Sequence, residues 1–193
     1  MGRIESAAAT RRALLDDAAA LLDSGGPAAV TLREVGARAG VSRGAPYRHF
    51  VDKESLLTAV AAEGWDRMAD QMSELRTDSG LAPTGKLRAA LVGIIATSRR
   101  QPYLYRLMFE KPSGDPTAVV RAAQRLCDEF LAIVAEVVGE QDARRSAAVL
   151  LTAGHGTAEL EMSGLLGTDK WHTTAEELVD TVVAMATGVN RSD

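Results

Sequence analysis

Apolar positions along this chain recur at helical spacing almost wherever they cluster. Leu14, Ala18, Leu21 and Leu22 stand at i, i+4, i+7 and i+8, while Arg11, Arg12, Asp16 and Asp17 fall mostly off that face. The pattern predicts an amphipathic helix over about residues 6–23. Gly25-Gly26-Pro27 predicts its end, because glycine accepts a left-handed C-terminal conformation and proline cannot continue the helix. Leu56, Leu57, Val60, Ala61, Met68, Met72 and Leu75 predict a second long helix reaching about residue 75. A polar loop over 77–85 follows, and then five more helical segments. Leu87, Leu91, Ile94 and Ile95 mark the first and residues 103–110 the second. Val119, Ala123, Leu126, Phe130, Val134 and Val137 mark the third, with the fourth over about 142–166 and the fifth over about 174–187. Breaks are expected at 101–102, 111–116, 139–142 and 167–169. No segment alternates with period two for long enough to be a strand, so the expected fold is all-α.

Residues 31–50 depart from this pattern. Thr31-x-x-Glu34 is a capping box, with Val30 and Val35 placed as a hydrophobic staple, and the helix it starts has barely two turns before Gly40. Ser42 is expected to cap a third helix carrying Pro46 at its fourth position, and Asp52 a fourth, with Val51 and Leu56 as a second staple. The short helix after Gly40 holds arginines, a tyrosine and a histidine where a core helix would hold an apolar stripe. Two short helices crossing through a glycine turn form the helix-turn-helix arrangement, whose second helix enters the DNA major groove. Val35, Val41 and Phe50 are expected to anchor it, small Gly36 and Ala37 to allow close approach, and Arg43, Gly44, Ala45, Tyr47, Arg48 and His49 to stay exposed.

Charge supports that reading. The chain carries net charge -4, yet residues 1–50 hold seven arginines against five acids, leaving 15 basic and 21 acidic residues beyond them. The N-terminal part is therefore positive and the remainder negative, as expected of a chain that offers one end to nucleic acid. A 46% hydrophobic content in 193 residues supports a packed core, and 4% aromatics favour one built of Ala, Leu and Val. The single cysteine, Cys127, allows no internal disulfide, fits a reducing compartment and is expected in the core. No run of eighteen apolar residues occurs and the first residues lack the apolar stretch of a signal peptide, so a cytoplasmic protein without membrane contact is expected.

These residues resemble the DNA-binding domain of the TetR family of bacterial transcriptional regulators. The resemblance covers about residues 9–70: a long first helix, Thr31-x-x-x-Val35, Ala39-Gly40-Val41-Ser42, Tyr47-x-x-Phe50, then Lys53 and Leu56. Gly36, where the family usually has alanine, and Pro46 depart from it. The resemblance implies an N-terminal helix-turn-helix domain, 1–52, joined by a long helix, 53–75, to a C-terminal bundle, 76–193, that dimerises and holds a ligand. By position and geometry, Thr31, Ser42, Tyr47, His49 and Lys53 are candidates for phosphate contacts. Arg33, Arg43 and Arg48 are candidates for base edges, with Gly44 and Ala45 allowing close approach. The implied partners are a double-stranded DNA operator, a second copy of the chain and a small-molecule inducer.

Gln101-Pro102-x-x-Tyr105-x-x-Met108-Phe109-Glu110 and His155-Gly156 resemble the C-terminal part of the tryptophan-histidine-glycine type of that family, without its tryptophan a few residues ahead of the histidine. That resemblance implies a pocket for which Tyr105, Met108, Phe109, Phe130, His155 and Glu159 are candidates. The plainer readings are that the aromatics and methionine are core and that His155 and Glu159, at i and i+4, are a hydrogen-bonded pair. The same spacing could hold a metal, but no third ligand is fixed, so no metal or cofactor is expected. Gly154, Gly156 and Gly164 are expected to admit a neighbouring helix, as at a dimer interface. An enzyme using His155 and Glu159 lacks any nucleophile, phosphate-loop or metal motif. A DNA-binding activator or partner-controlled regulator without inducer is the other alternative.

Overall fold

The structure, a computed structural model, describes residues 2–167 and 169–188, with 2–5 as backbone alone. Among these residues the regular elements are helices: α1 (Gly2–Ala29), α2 (Leu32–Arg38), α3 (Ala45–His49), α4 (Lys53–Thr77), α5 (Pro83–Arg100), α6 (Pro102–Phe109), α7 (Thr117–Val138), α8 (Glu140–Met162) and α9 (Ala175–Gly188). The all-α expectation holds, with most boundaries within a few residues. Thr168, in the expected break at 167–169, lies outside the described residues.

The chain forms two compact units. One comprises the chain up to Trp65 together with Gln101–Ala123; the other comprises Asp66–Arg100 and the chain from Gln124 on. These units differ from the expected linear division into 1–52, with its connecting stretch 53–75, and 76–193. The physical reason is that α6 packs against α1, so residues 101–123 close the first unit.

In the first unit, Leu14, Leu15, Ala18 and Leu22 bury the apolar face of α1, and α2, α3 and α6 pack upon that helix. The expected end of α1 is visible as a break at Gly26, whose φ of 69° and ψ of -172° interrupt the helical path before Pro27 starts a last turn. Glycine is required there twice over: its φ is left-handed, and a Cβ would stand 2.9 Å from the Tyr103 ring. Trp65, 7% exposed, donates its indole N–H to the Met108 carbonyl at 3.0 Å and meets the Phe109 ring edge-on at 4.8 Å between centroids. A buried indole needs such an acceptor, and this one fixes α4 to α6.

In the second unit α5, α8 and α9 pack against one another. Arg99 of α5 bonds both Glu161 of α8, at 2.6 Å, and Glu176 of α9, at 2.7 Å. Gly154 lies against Leu91 and Ile94 of α5, a Cβ there falling 3.1 Å from Leu91 Cδ2. Gly154 thus admits a neighbouring helix as expected, and that helix is α5 of its own chain, not one across a dimer interface. Gly164, expected inside a helix, instead takes φ 74° in the turn after α8.

Candidate nucleic-acid interface

The reader is built by local chemistry. Thr31 takes extended backbone, and its Oγ1 accepts the Glu34 N–H at 3.1 Å, while Val30 and Val35 are fully buried. This is the expected cap and staple. At the other end of α2, Gly40 N–H reaches the Ala37 carbonyl at 3.2 Å and Val41 N–H the Gly36 carbonyl at 3.1 Å, with Gly40 at φ 64°. That double closure is a Schellman turn, which only a left-handed residue completes without strain. Arg38 Nε bonds Asp17 at 2.9 Å and ties α2 to α1.

The entry to α3 differs from expectation. Ser42 does not cap it through its side chain. Its carbonyl instead accepts Ala45 N–H at 2.9 Å, Gly44 is the N-cap, and the helix spans only Ala45–His49. Pro46 thus falls in the first turn instead of at a fourth position, where its missing N–H costs no helical bond. Phe50 closes the helix with its N–H on the Pro46 carbonyl at 2.9 Å; its buried ring lies 5.4 Å beneath the Arg11 guanidinium. Asp52 does cap α4, its Oδ1 accepting Ser55 N–H at 2.7 Å. The second staple does not form, since Val51 is 88% exposed.

Of the ten residues assigned toward DNA, Thr31, Arg33, Ser42, Arg43, Gly44, Tyr47 and Arg48 are exposed, and His49 and Lys53 are half-buried. Ala45 is corrected: at 3% exposure it is a core contact, because α3 enters the groove between α1 and α2 by that face. The rest flank α3 on two sides. Arg33, Arg43 and Tyr47 border a groove of about 480 Å³ between α2 and α3, while Ser42, Arg48 and His49 border one of about 550 Å³ toward α1. Ser6, Ala7 and Thr10 also line the second groove, and the sequence reading missed them. Their spacing was the available signal: Ala7 and Thr10 stand seven and four residues ahead of Leu14, on the side of α1 that packs against the helix-turn-helix.

Charge separates the arginines of this unit into two groups. Arg12 is held by Asp16 and Glu63, and Arg38 by Asp17. The hydrogen bond that Arg12 donates to Asp16, then the charge of Glu63, raise the Arg12 pKa above its usual value. Among the described residues, Arg33, Arg43 and Arg48 make no ion pair within the chain.

The residues considered for a ligand divide between the units. Tyr105, Met108 and Phe109 belong to the first, where Tyr105 and Met108 are buried and Phe109 is partly exposed. Phe130, His155 and Glu159 belong to the second, Phe130 buried and the other two half-buried on α8. No group of three His, Cys, Asp or Glu that could hold a metal occurs among the described residues. Cys127, expected in the core, is exposed on α7, with Leu126 and Phe130 taking the buried positions beside it. Partial desolvation, and then Asp128, push its thiol pKa up.

A capped first helix, a Schellman turn and an arginine-bearing short helix define a helix-turn-helix DNA-binding regulator. Residues 14–60 match the model of bacterial regulatory proteins of the tetR family, and 87–186 match a tetracyclin repressor-like C-terminal domain. The chain belongs to the TetR family, whose members are transcriptional regulators and not enzymes. It is 30% identical over 134 residues to the HTH-type transcriptional regulator AcrR of Shigella flexneri, covering 65% of this chain and 60% of that protein. It is 30% identical over 125 residues to the HTH-type transcriptional repressor KstR of Rhodococcus jostii, covering 63% and 58%. The chain thus spans about three-fifths of the length of these relatives. A protein of unknown function from Rhodococcus sp. RHA1 shares the fold with TM-score 0.78 and 26% identity, over 93% of this chain and 94% of that one.

Proposed function

We propose that this chain is a repressor that binds a palindromic operator as a dimer and is released by a small-molecule inducer held in its C-terminal part. The observation that carries the DNA end is the set Arg33, Arg43 and Arg48, exposed around α3 and making no ion pair among the described residues. Cations left unneutralised by their own chain are available to phosphates and to guanine edges. A relative named as a repressor supports the sign of regulation. Among the described residues no helix is long and apolar enough to cross a membrane, and a reader of the chromosome works in the cytoplasm.

Dimerisation is supported by a largely apolar groove of about 300 Å³ on α8, α9 and the end of α7, bordered by Val138, Val149, Leu150, Val182 and Met185 together with Asp142 and Arg145. Val149 and Met185 are 63% and 64% exposed, a large apolar surface for one chain to leave in water. A two-fold pairing sets two recognition helices about one DNA turn apart, hence the palindrome.

The test is binding of the purified chain to DNA from its own promoter region and to random DNA at the same moderate salt. Preference for the promoter DNA, lost steeply as salt rises, is expected; equal affinity for both discards the proposal. Val149→Arg together with Met185→Arg should give a monomer by light scattering, with unchanged helicity and weakened operator binding. A set of metabolites screened by thermal shift should contain one that raises the melting temperature and lowers operator affinity. Operator binding that no metabolite alters would favour a regulator governed by a protein partner.

A further inference from the structure

Gly36 lies inside α2 and is buried, in a helix where alanine would be the better former. Its backbone is helical, so conformational freedom does not account for glycine here. Space does: a Cβ built on Gly36 would stand 2.6 Å from Cγ of Pro46 and 3.4 Å from its Cδ, with Val41 Cγ2 at 3.8 Å. Ordinary carbon contacts are about 3.5–4.0 Å, so a methyl group would require the proline ring to retreat by about 1 Å. That ring cannot swing away as a long side chain would, because it is closed on its own backbone.

Pro46 is buried in the first turn of α3, a helix of five residues whose last link, Phe50 N–H to the Pro46 carbonyl, also starts from it. The Gly36 carbonyl holds the turn from the other side by accepting Val41 N–H. Gly36 and Pro46 therefore form the contact on which α3 rests against α2. Arg43 and Tyr47 border the same groove.

We propose that Gly36 and Pro46 are a matched positioning pair that sets the depth and tilt of α3 on α2, and thereby which half-site sequence Arg43 and Arg48 read. The inference rests on the DNA-binding function proposed above. Hydrogen bonds to base edges tolerate only a few tenths of an ångström, so a shift of about 1 Å at Pro46 changes what is read. Phosphate contacts through flexible side chains absorb such a shift, so affinity for random DNA changes little.

The test uses the full chain as wild type, Gly36→Ala, Pro46→Ala and the double variant. Three readouts are taken: the ratio of promoter to random DNA affinity, the half-site selected from a randomised pool, and the melting temperature. Gly36→Ala is expected to lose about tenfold or more of the ratio and to select a different half-site, while its affinity for random DNA stays within about twofold. In the double variant the methyl at 36 fills room left by the ring, so most of the ratio returns; the two changes are strongly non-additive. Gly36→Ala with wild-type discrimination and half-site overturns the pairing, as does a double variant whose losses are the sum of the single ones. Should Gly36→Ala alone fail to fold, the double variant decides: folded and discriminating supports the pairing, unfolded overturns it. A wild type that does not prefer its own promoter DNA sinks the regulatory function, and with it the reading role of this pair. A discriminating wild type beside an equally discriminating Gly36→Ala sinks this inference alone.

Discussion

Arg48 and Lys53 stand five residues apart, on α3 and at the start of α4, and they predict different behaviour. Arg48 is exposed on α3, whereas Lys53 is half-buried in the first turn of α4. Arg48→Ala is expected to cost about 1–3 kcal/mol of operator affinity with little change toward random DNA. Lys53→Ala should weaken both together and lower the slope of log affinity against log salt by about one. Titrations at three or more salt concentrations separate the two; equal effects on the salt slope would show both to be phosphate contacts. At this scale the sequence was readable where the chemistry is local. Thr31 with Glu34 and Asp52 with Ser55 lie three residues apart, and each cap forms. Ala45 and Cys127 were misjudged because burial of a small side chain depends on which neighbour covers it, and no spacing within the chain records that.

Elements were legible where glycine or proline stops them and less so where a serine starts them. Gly26, Gly40 and Gly139 all adopt positive φ at the ends of predicted helices. Ser42 was the expected start of α3, yet Gly44 is its N-cap, with Pro46 in the first turn and set against Gly36 of α2, a contact between helices that spacing does not record. The start of α9 carries a pH dependence that follows from its cap. Glu177 accepts the Thr174 N–H at 2.8 Å and the Thr173 hydroxyl at 3.2 Å, while its own N–H donates to Thr174 Oγ1. The Thr174 backbone bond, then that hydroxyl, lower its pKa from the ordinary value of 4.5. Glu176 is lowered too, first by its bond from Arg99. A carboxylate with a depressed folded pKa stabilises the fold above its unfolded value and loses that contribution as pH falls through the folded one. Glu177→Gln should therefore lower the melting temperature at pH 7, and the gap to wild type should close as pH falls below about 4. A gap of the same size at pH 3 and pH 7 would show the cap to act without its charge.

At the scale of the whole molecule, the all-α fold was legible in the helical spacing of apolar positions along the chain, and the family because the helix-turn-helix concentrates its signals within 31–56. The grouping of residues into compact units was not. The loop at 77–85 is polar and looks like a boundary, yet α6, which begins only at Pro102, closes the first unit on α1. That association depends on Tyr103 meeting Gly26 and on Trp65 meeting Met108 and Phe109, contacts between residues 40 to 80 positions apart. The pairing of Trp65 with α6 also equips the chain with an optical probe. Its indole is buried and hydrogen-bonded, while Trp171, the second of the two tryptophans, is 57% exposed. Emission should resolve into a blue component that iodide cannot reach and a red one that it quenches. With Trp171→Phe only the blue component remains, so any ligand that parts α4 from α6 announces itself as a red shift, with no label attached.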